Sequence, residues 1–175
     1  AAMASGDVQV AELGSAPLAI GTSQGLDIQL FMIAEGLGTA ESLIATKASG
    51  ITALEGVKGM RIAVPVGSTA HYSLMGALAH AGIAETDVTI MNLPADQIAA
   101  AWDSGQVDAA FIWEPVQNQI LQTGTFIVGA DQTAAWGFPT FDGWVVNSEF
   151  AAANADAMVA FAKTLNTVNM AYLAD

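Results

Sequence analysis

Two adjacent hydroxyl residues stand where a buried strand turns into a helix. Residues 62–66 are short and apolar, which is typical of a strand buried on both faces. Ser68 and Thr69 follow at the position of a helix N-cap, with His71 in the first turn. A helix N-terminus presents unpaired N–H groups and a partial positive charge, so this turn can hold a small anion without a basic side chain. The alternative is an ordinary capped helix in which His71 only packs or donates a hydrogen bond.

Acidic residues in aromatic surroundings form the second group of candidates. Asp142 lies in the aromatic segment 138–144, Glu114 follows Trp113 at a predicted strand end, and Glu41 is the third. A buried carboxylate is costly unless it is paired, which indicates a cationic partner. The chain has only 4 Lys and Arg, so we expect a ligand ammonium as that partner. Indole rings that could pack against it belong to Trp113, Trp136 and Trp144.

The two groups together predict a site for a small zwitterion. Amides and hydroxyls would hold its anionic end, and a carboxylate with aromatic rings would hold its ammonium. The alternative for each acidic or aromatic residue is structural: Asp142 caps a turn, and the tryptophans belong to the core.

Other chemistry finds little support in the residues. His71 and His80 are nine positions apart on one predicted helix, which places them on opposite faces at about 100° per residue. The chain has no Cys and no calcium-loop spacing, so we expect no metal site. It also lacks a nucleophile elbow, a phosphate-binding P-loop and a Gly-x-Gly-x-x-Gly motif. We therefore predict a protein that is not an enzyme and carries no cofactor.

The composition limits the classes of partner. The 175 residues are 53% hydrophobic, enough for a packed core, and they carry 17 acidic against 4 basic residues, a formal net charge of −13. Such a surface repels nucleic acid and anionic membranes. No apolar run reaches roughly 18 residues. The sequence begins without Met and both ends read as helical, so we expect an internal piece of a longer protein whose signal peptide is not visible.

Strand and helix patterns alternate along the chain, which favours a parallel, doubly wound α/β architecture. The predicted helix Thr69–His80 carries an apolar stripe at Leu74, Ala77, Leu78 and Ala81. The segment Ser-Gly-Asp-Val at residue 5 is echoed by Ser-Gly-Gln-Val 99 residues later, which suggests two lobes of similar construction. Ligands of such folds bind beyond the carboxyl ends of the strands. Gly14, Ser68 and Glu114 follow predicted strands in this way.

Several motifs resemble the periplasmic substrate-binding proteins of sulfonate-type ABC transporters. They include Leu-Gly-Ser-Ala-Pro at 13–17, Lys-Gly-Met-Arg-Ile-Ala-Val-Pro at 58–65, Ser-Thr-Ala-His-Tyr-Ser at 68–73 and Trp-Gly-Phe-Pro-Thr-Phe-Asp-Gly-Trp at 136–144. The third and fourth are similar to the taurine-binding branch of that family. The first two are similar to the wider family, which includes binders of alkanesulfonates, nitrate and pyrimidine precursors.

The resemblance implies a two-lobed periplasmic-binding-protein fold of type II that closes by a hinge around its ligand. Residues 1–57 would be part of lobe I, residues 58–142 lobe II, and residues 143–175 a return strand and helix toward lobe I. It places Asp142 on the ligand's ammonium and Glu41 near the cleft, and it assigns ligand-facing loops to Ser15, Ser68, Thr69, His71 and Tyr72. Glu114 departs from the small residue expected there in close taurine binders, so the exact ligand stays open.

The function that the resemblance implies is capture of taurine or a close aminosulfonate for an ABC importer. Its partners would be a small zwitterionic sulfonate and the membrane permease, and the protein would be a monomer in the periplasm or lipid-anchored outside the cytoplasm. Alternatives are a binding protein for another sulfonate, nitrate or a pyrimidine precursor, the sensor domain of a transcription regulator, or a pyrimidine-precursor synthase on the same fold.

Overall fold

A computed structural model describes residues 2–174. Eight strands form two sheets in this part of the chain. The smaller sheet has the order β1-β8-β2, and both of its pairings are antiparallel. Its strands are β1 (Val10–Gly14), β2 (Ile28–Gly36) and β8 (Phe141–Asn147). The register places Asp142 opposite both Gly14 and Glu35, so the ends of all three strands meet at one corner.

The larger sheet has the order β5-β4-β6-β3-β7. Its centre is buried: every residue of β3 except the last is buried, and so are the first four residues of β6. Apart from Glu41 and Ser42 at the start of β3, these residues are apolar. A strand that is covered on both faces needs such a continuous apolar run. The strands of this sheet are β3 (Glu41–Thr46), β4 (Arg61–Val64), β5 (Thr89–Asn92), β6 (Ala109–Trp113) and β7 (Gly124–Gly129).

Helices cover the two sheets. The α-helices are α1 (Ala2–Ser5), α2 (Ser15–Ser23), α3 (Thr69–His80), α4 (Ala95–Asp103), α5 (Val116–Leu121), α6 (Ala130–Ala135), α7 (Ser148–Ala153) and α8 (Ala155–Tyr172). Short 3₁₀ segments occupy Lys47–Ser49, Leu54–Val57 and Glu85–Asp87. Among residues 2–174, none of the helices combines the length and the hydropathy that crossing a membrane requires.

The predicted helix α3 has the expected bounds and the expected buried face. Leu74, Ala77 and Leu78 are buried in the main core cluster, and Ala81 packs against it. Two helices, α7 and α8, follow the last strand and meet at Asn154. The Asn154 amide donates a hydrogen bond to the Phe150 carbonyl oxygen at 2.9 Å, which satisfies a group at the end of α7.

The expectation of a parallel architecture is wrong for most of the strand pairs. Only β4–β5 and β4–β6 are parallel, whereas β3 runs antiparallel to both β6 and β7. Alternation of strands and helices predicts parallel neighbours only where each helix returns the chain to the same sheet. Here the segment after β2 and the segment after α6 carry the chain from one sheet to the other, so β3 and β8 enter their sheets in the opposite direction.

The chain passes between the sheets at residues 37–40 and 136–140. The two connections lie side by side and are joined by a hydrogen bond of 3.1 Å from the Leu37 N–H to the Thr140 carbonyl oxygen. The first crossing therefore comes earlier than the boundary at residues 57 and 58 that the sequence suggested. The difference arises because β3 pairs with β6 and β7, which makes it part of the larger sheet.

Candidate functional site

Two helix N-termini face one cavity of about 430 Å³ between the sheets. Ser15 begins α2 directly after β1, and Ser68 caps α3 just beyond β4. The first-turn N–H groups of a helix have no intrahelical acceptor, so both helices present donors and positive dipole ends here. We call this cavity the amide pocket; its lining includes Ser15, Ala16, Gly67, Ser68, His71, Tyr72 and Pro139.

Local hydrogen bonds shape the turn at the start of α3. Gly67 has φ +86°, a left-handed conformation that glycine adopts without strain. The Ser68 hydroxyl accepts a bond from the His71 N–H at 3.2 Å, and the Gly67 N–H donates to His71 Nδ1 at 3.4 Å. With Nδ1 as an acceptor, a neutral imidazole carries its proton on Nε2. The turn therefore offers a hydroxyl proton and an imidazole N–H in addition to its backbone amides.

A second cavity of about 490 Å³ adjoins the first, and Ser68 lines both. We call it the acid pocket because five carboxylates line it and none of its lining residues is basic. These are Glu12 on β1, Glu35 on β2, Glu41 on β3, Glu114 after β6 and Asp142 on β8. Thr69 and Trp113 also line this cavity.

Close packing brings three elements together where the pockets meet. A Cβ atom on Gly14 would lie 2.7 Å from Thr69 Cγ2 and 3.3 Å from Asp142 Oδ1. Any larger residue at position 14 would push the start of α3 away from β8. The end of β1, the first turn of α3 and the beginning of β8 thus pack closely where the two pockets meet.

Glu41 is the most deeply buried carboxylate of the acid pocket, with 1% of its surface exposed. Thr69 Oγ1 donates a hydrogen bond to Glu41 Oε1 at 2.7 Å, whereas Oε2 has no partner among the described residues. Burial raises the pKa of Glu41 to about 7; the Thr69 hydrogen bond opposes this shift, the charge of Asp142 adds to it, and the nearby Ser73 hydroxyl opposes it.

The other carboxylates also repel one another. The pKa of Asp142 is raised by its burial and by the charge of Glu35. Glu12 behaves similarly, because burial raises its pKa and the charges of Asp142 and Glu35 add to the effect. Shifts of this kind mean that the ionised forms lack counter-charges within the protein. A cation entering the pocket would supply them.

Comparison with known proteins places the chain in a family. A family profile described as NMT1/THI5 like matches residues 1–172. The chain belongs to the NMT1/THI5-like family. This NMT1/THI5-like chain is 42% identical over 174 residues to the taurine-binding periplasmic protein of Escherichia coli K12, a match that covers 99% of the chain and 54% of the relative. It is 30% identical over 165 residues to a putative aliphatic sulfonates-binding protein of Bacillus subtilis 168, covering 94% of the chain and 49% of that relative.

A solved structure confirms the fold. The alkanesulfonate-binding protein of Xanthomonas axonopodis pv. citri, determined bound to MOPS, superposes with a TM-score of 0.85 at 24% identity, over 95% of this chain and 57% of that one. The likeness confirms the two-lobed binding-protein fold that the motifs implied. This NMT1/THI5-like chain spans about half the length of the curated relatives it matches.

The structure brings most of the predicted site residues together. Around the amide pocket lie Ser15, Ser68, His71 and Tyr72, and Ser15 Oγ also accepts a bond from the Phe141 N–H at 3.3 Å. Around the acid pocket lie Ser68, Thr69, Glu41, Trp113, Glu114 and Asp142. One detail differs from expectation: the Thr69 hydroxyl donates to Glu41 and is not free for an anion.

Trp136 lines neither pocket. Its ring stacks on His80, with centroids 3.8 Å apart and an interplanar angle of 2°, at the C-terminal end of α3. Twelve residues of helix separate that end from the pockets by about 18 Å. A turn at Gly137, where φ is +98°, reverses the chain and brings Pro139 to the amide pocket instead.

Two acid-pocket residues, Glu12 and Glu35, were not among the predicted site residues. Each lies on a strand of the smaller sheet, and only the cross-strand register brings them to Asp142. A signal existed in the sequence, because each is an acidic residue near the end of an otherwise apolar strand pattern. Arg61 lies outside both pockets, where its guanidinium binds Asp108 at 2.8 Å.

Proposed function

We propose that this chain is part of a substrate-binding protein that captures taurine or a close aminosulfonate for an ABC importer. The observation that carries the proposal is the pair of adjoining pockets: one offers amides and hydroxyls, and the other offers carboxylates without a basic partner. A ligand with an anion at one end and an ammonium at the other satisfies both. The sulfonate-binding relatives support the same ligand class.

The amide pocket suits a sulfonate. The two helix N-termini and the hydroxyls of Ser15 and Ser68 supply neutral donors, which bind an anion without a salt bridge. Neutral donors also fit the setting, because a Lys or Arg here would pair with the neighbouring carboxylates. The apolar side chains of Ala19 and Ile20 line the same cavity and can contact a short methylene chain.

The acid pocket suits an ammonium. Asp142 and Glu41 lie on different sheets and line the same cavity, so a cation that enters the cavity is attracted by both. The half-buried Trp113 ring lines the cavity as well and is placed to add a cation–π contact. Glu114, the residue that departs from close taurine binders, adds one more negative charge to this end.

The setting of the whole protein follows from the same proposal. It would work outside the cytoplasm, free in the periplasm or lipid-anchored, and deliver its ligand as a monomer to a membrane permease. It would bind its ligand and not transform it. The two lobes would close around the ligand about the crossings at residues 37–40 and 136–140.

Calorimetry with three matched ligands tests the proposal. Taurine, ethanesulfonate and ethylamine share a two-carbon chain and carry both charged groups, the anion alone or the cation alone. We expect taurine to bind more than tenfold more tightly than either of the others, because only taurine fills both pockets. Equal affinity for taurine and ethanesulfonate would refute recognition of the amine. Tighter binding of nitrate or of a pyrimidine precursor would favour those alternatives.

A further inference from the structure

Glu41 has a free oxygen in the acid pocket. Its side chain is almost completely buried, Thr69 donates a hydrogen bond to Oε1, and Oε2 has no hydrogen-bond partner among residues 2–174; the nearby buried Ser73 hydroxyl also lacks one. An ionised carboxylate in this position leaves a buried charge uncompensated, which is strongly unfavourable. The empty pocket therefore favours the neutral acid, with its proton on the oxygen that Thr69 leaves free.

We propose that Glu41 is a second acceptor for the ligand ammonium and that the ammonium replaces the carboxyl proton. The inference rests on the proposed function and states how the protein recognises the cationic end of the ligand. As the ligand enters, the O–H bond of the Glu41 acid breaks, its electron pair stays on the carboxylate that accepts the ammonium hydrogen bond, and the proton passes to solvent. Capture of an aminosulfonate thus releases a proton, and capture of a plain sulfonate does not.

The groups around Glu41 support this assignment. Every ionisable residue that faces it across the acid pocket is acidic: Glu12 from β1, Glu35 from β2, Glu114 after β6 and Asp142 from β8. Of these, Asp142 opposes a negative charge on Glu41 while the pocket is empty. His71 faces the amide pocket from α3, and no basic side chain lines the acid pocket.

The expected size of the effect follows from the pKa of Glu41, about 7 in the empty site. At pH 7 half of the molecules carry the proton, so binding of taurine should release about 0.5 proton per ligand. Between pH 8 and pH 6 the affinity for taurine should fall about tenfold, because a growing fraction of the protein must first lose its proton. The affinity for ethanesulfonate should not fall over this range.

A pH-stat titration at pH 7 measures the released proton without a buffer. Sulfonate and amine buffers are avoided because they are themselves candidate ligands. Taurine and ethanesulfonate, each adjusted to pH 7, are titrated into the purified protein, and affinities are measured by calorimetry in phosphate at pH 6, 7 and 8. We expect proton release with taurine only. Taurine binding without release, or equal release with both ligands, would overturn the inference.

Two variants identify the source of the proton. Glu41→Gln keeps the shape of the side chain and should bind taurine more weakly, without proton release, and with an affinity that no longer falls between pH 8 and pH 6. Glu55→Gln makes the same change at an exposed position outside both pockets and should release protons like the unchanged protein. Full release from Glu41→Gln would overturn the assignment to Glu41. Failure of every sulfonate to bind would overturn the proposed function and this inference with it.

Discussion

Replacing Asp142 with Asn tests the ammonium site most directly. The change keeps the size of the side chain and removes one negative charge from the acid pocket. A hydrogen bond to a charged group contributes about 1.5–3 kcal/mol. The other four carboxylates of the pocket remain and continue to attract the ammonium, so we expect the lower half of that range, about 1.5–2 kcal/mol. Since about 1.4 kcal/mol corresponds to tenfold in affinity, taurine binding should weaken by roughly 10-fold to 30-fold.

The assay is calorimetry at pH 8, where the carboxylates of the pocket are most fully ionised. Ethanesulfonate should bind the variant as well as it binds the unchanged protein or slightly better, because the variant repels an anion less. Asp103→Asn provides a matched control at the exposed end of α4 and should leave both affinities unchanged. Equal loss of both ligands would show that Asp142 is structural. No loss of either would place the ammonium contact elsewhere and refute the reasoning.

Three further outcomes follow from the same geometry. Ser68→Ala should lower the free energy of unfolding by about 1 kcal/mol, measured by urea unfolding, because the α3 cap is lost. It should also weaken taurine binding in calorimetry, whereas Arg61→Ala should leave the affinity for taurine unchanged. A larger affinity loss for Arg61→Ala would contradict the placement of the anion. Gly76→Ala should destabilise the protein by about 1–3 kcal/mol, because its Cβ would lie 2.5 Å from Phe138 Cγ, and unchanged urea stability would refute this close packing. Burial raises the pKa of Glu41 above its unfolded value, so the cost of burying the ionised carboxylate is small at pH 4.5 and complete above pH 7. Glu41→Gln should therefore stabilise the empty protein by about 1–3 kcal/mol at pH 8 and not at pH 4.5. Equal effects on the free energy of unfolding at both pH values would refute the raised pKa.

The start of α3 could be predicted from sequence because its signals are local. Ser68 occupies the cap, the apolar stripe has helical spacing, and Gly82 ends the helix two residues beyond His80. Each signal involves residues within one or two turns, so a single sequence contains all of them. The same locality allows the anion end of the proposed site to be predicted at Ser68 from the sequence alone.

The sheet arrangement and the acid pocket depend on contacts that no local pattern encodes. The sequence shows that β3 is a buried strand, but its antiparallel position between β6 and β7 depends on where the chain crosses between sheets. In the same way, Glu12 and Glu35 reach the pocket only through pairing with β8 across more than 100 residues. Trp136 was a candidate because an indole ring can pack against a cation, yet its ring stacks on His80 just before the turn at Gly137.

Thr69 connects the two ends of the site. Its backbone belongs to the first turn of α3, which lines the amide pocket through Ser68, while its hydroxyl holds Glu41 in the acid pocket. The close approach of Gly14 to both Thr69 and Asp142 fixes this arrangement in space. An anion that binds the amide pocket alone lies beside an acid pocket that has no counter-charge, and a cation that binds the acid pocket alone lies beside two positive helix ends. A ligand that carries only one of the two charges is therefore repelled by the half of the site that does not bind it. A short zwitterion avoids both repulsions, because each of its ends lies in the pocket of opposite charge.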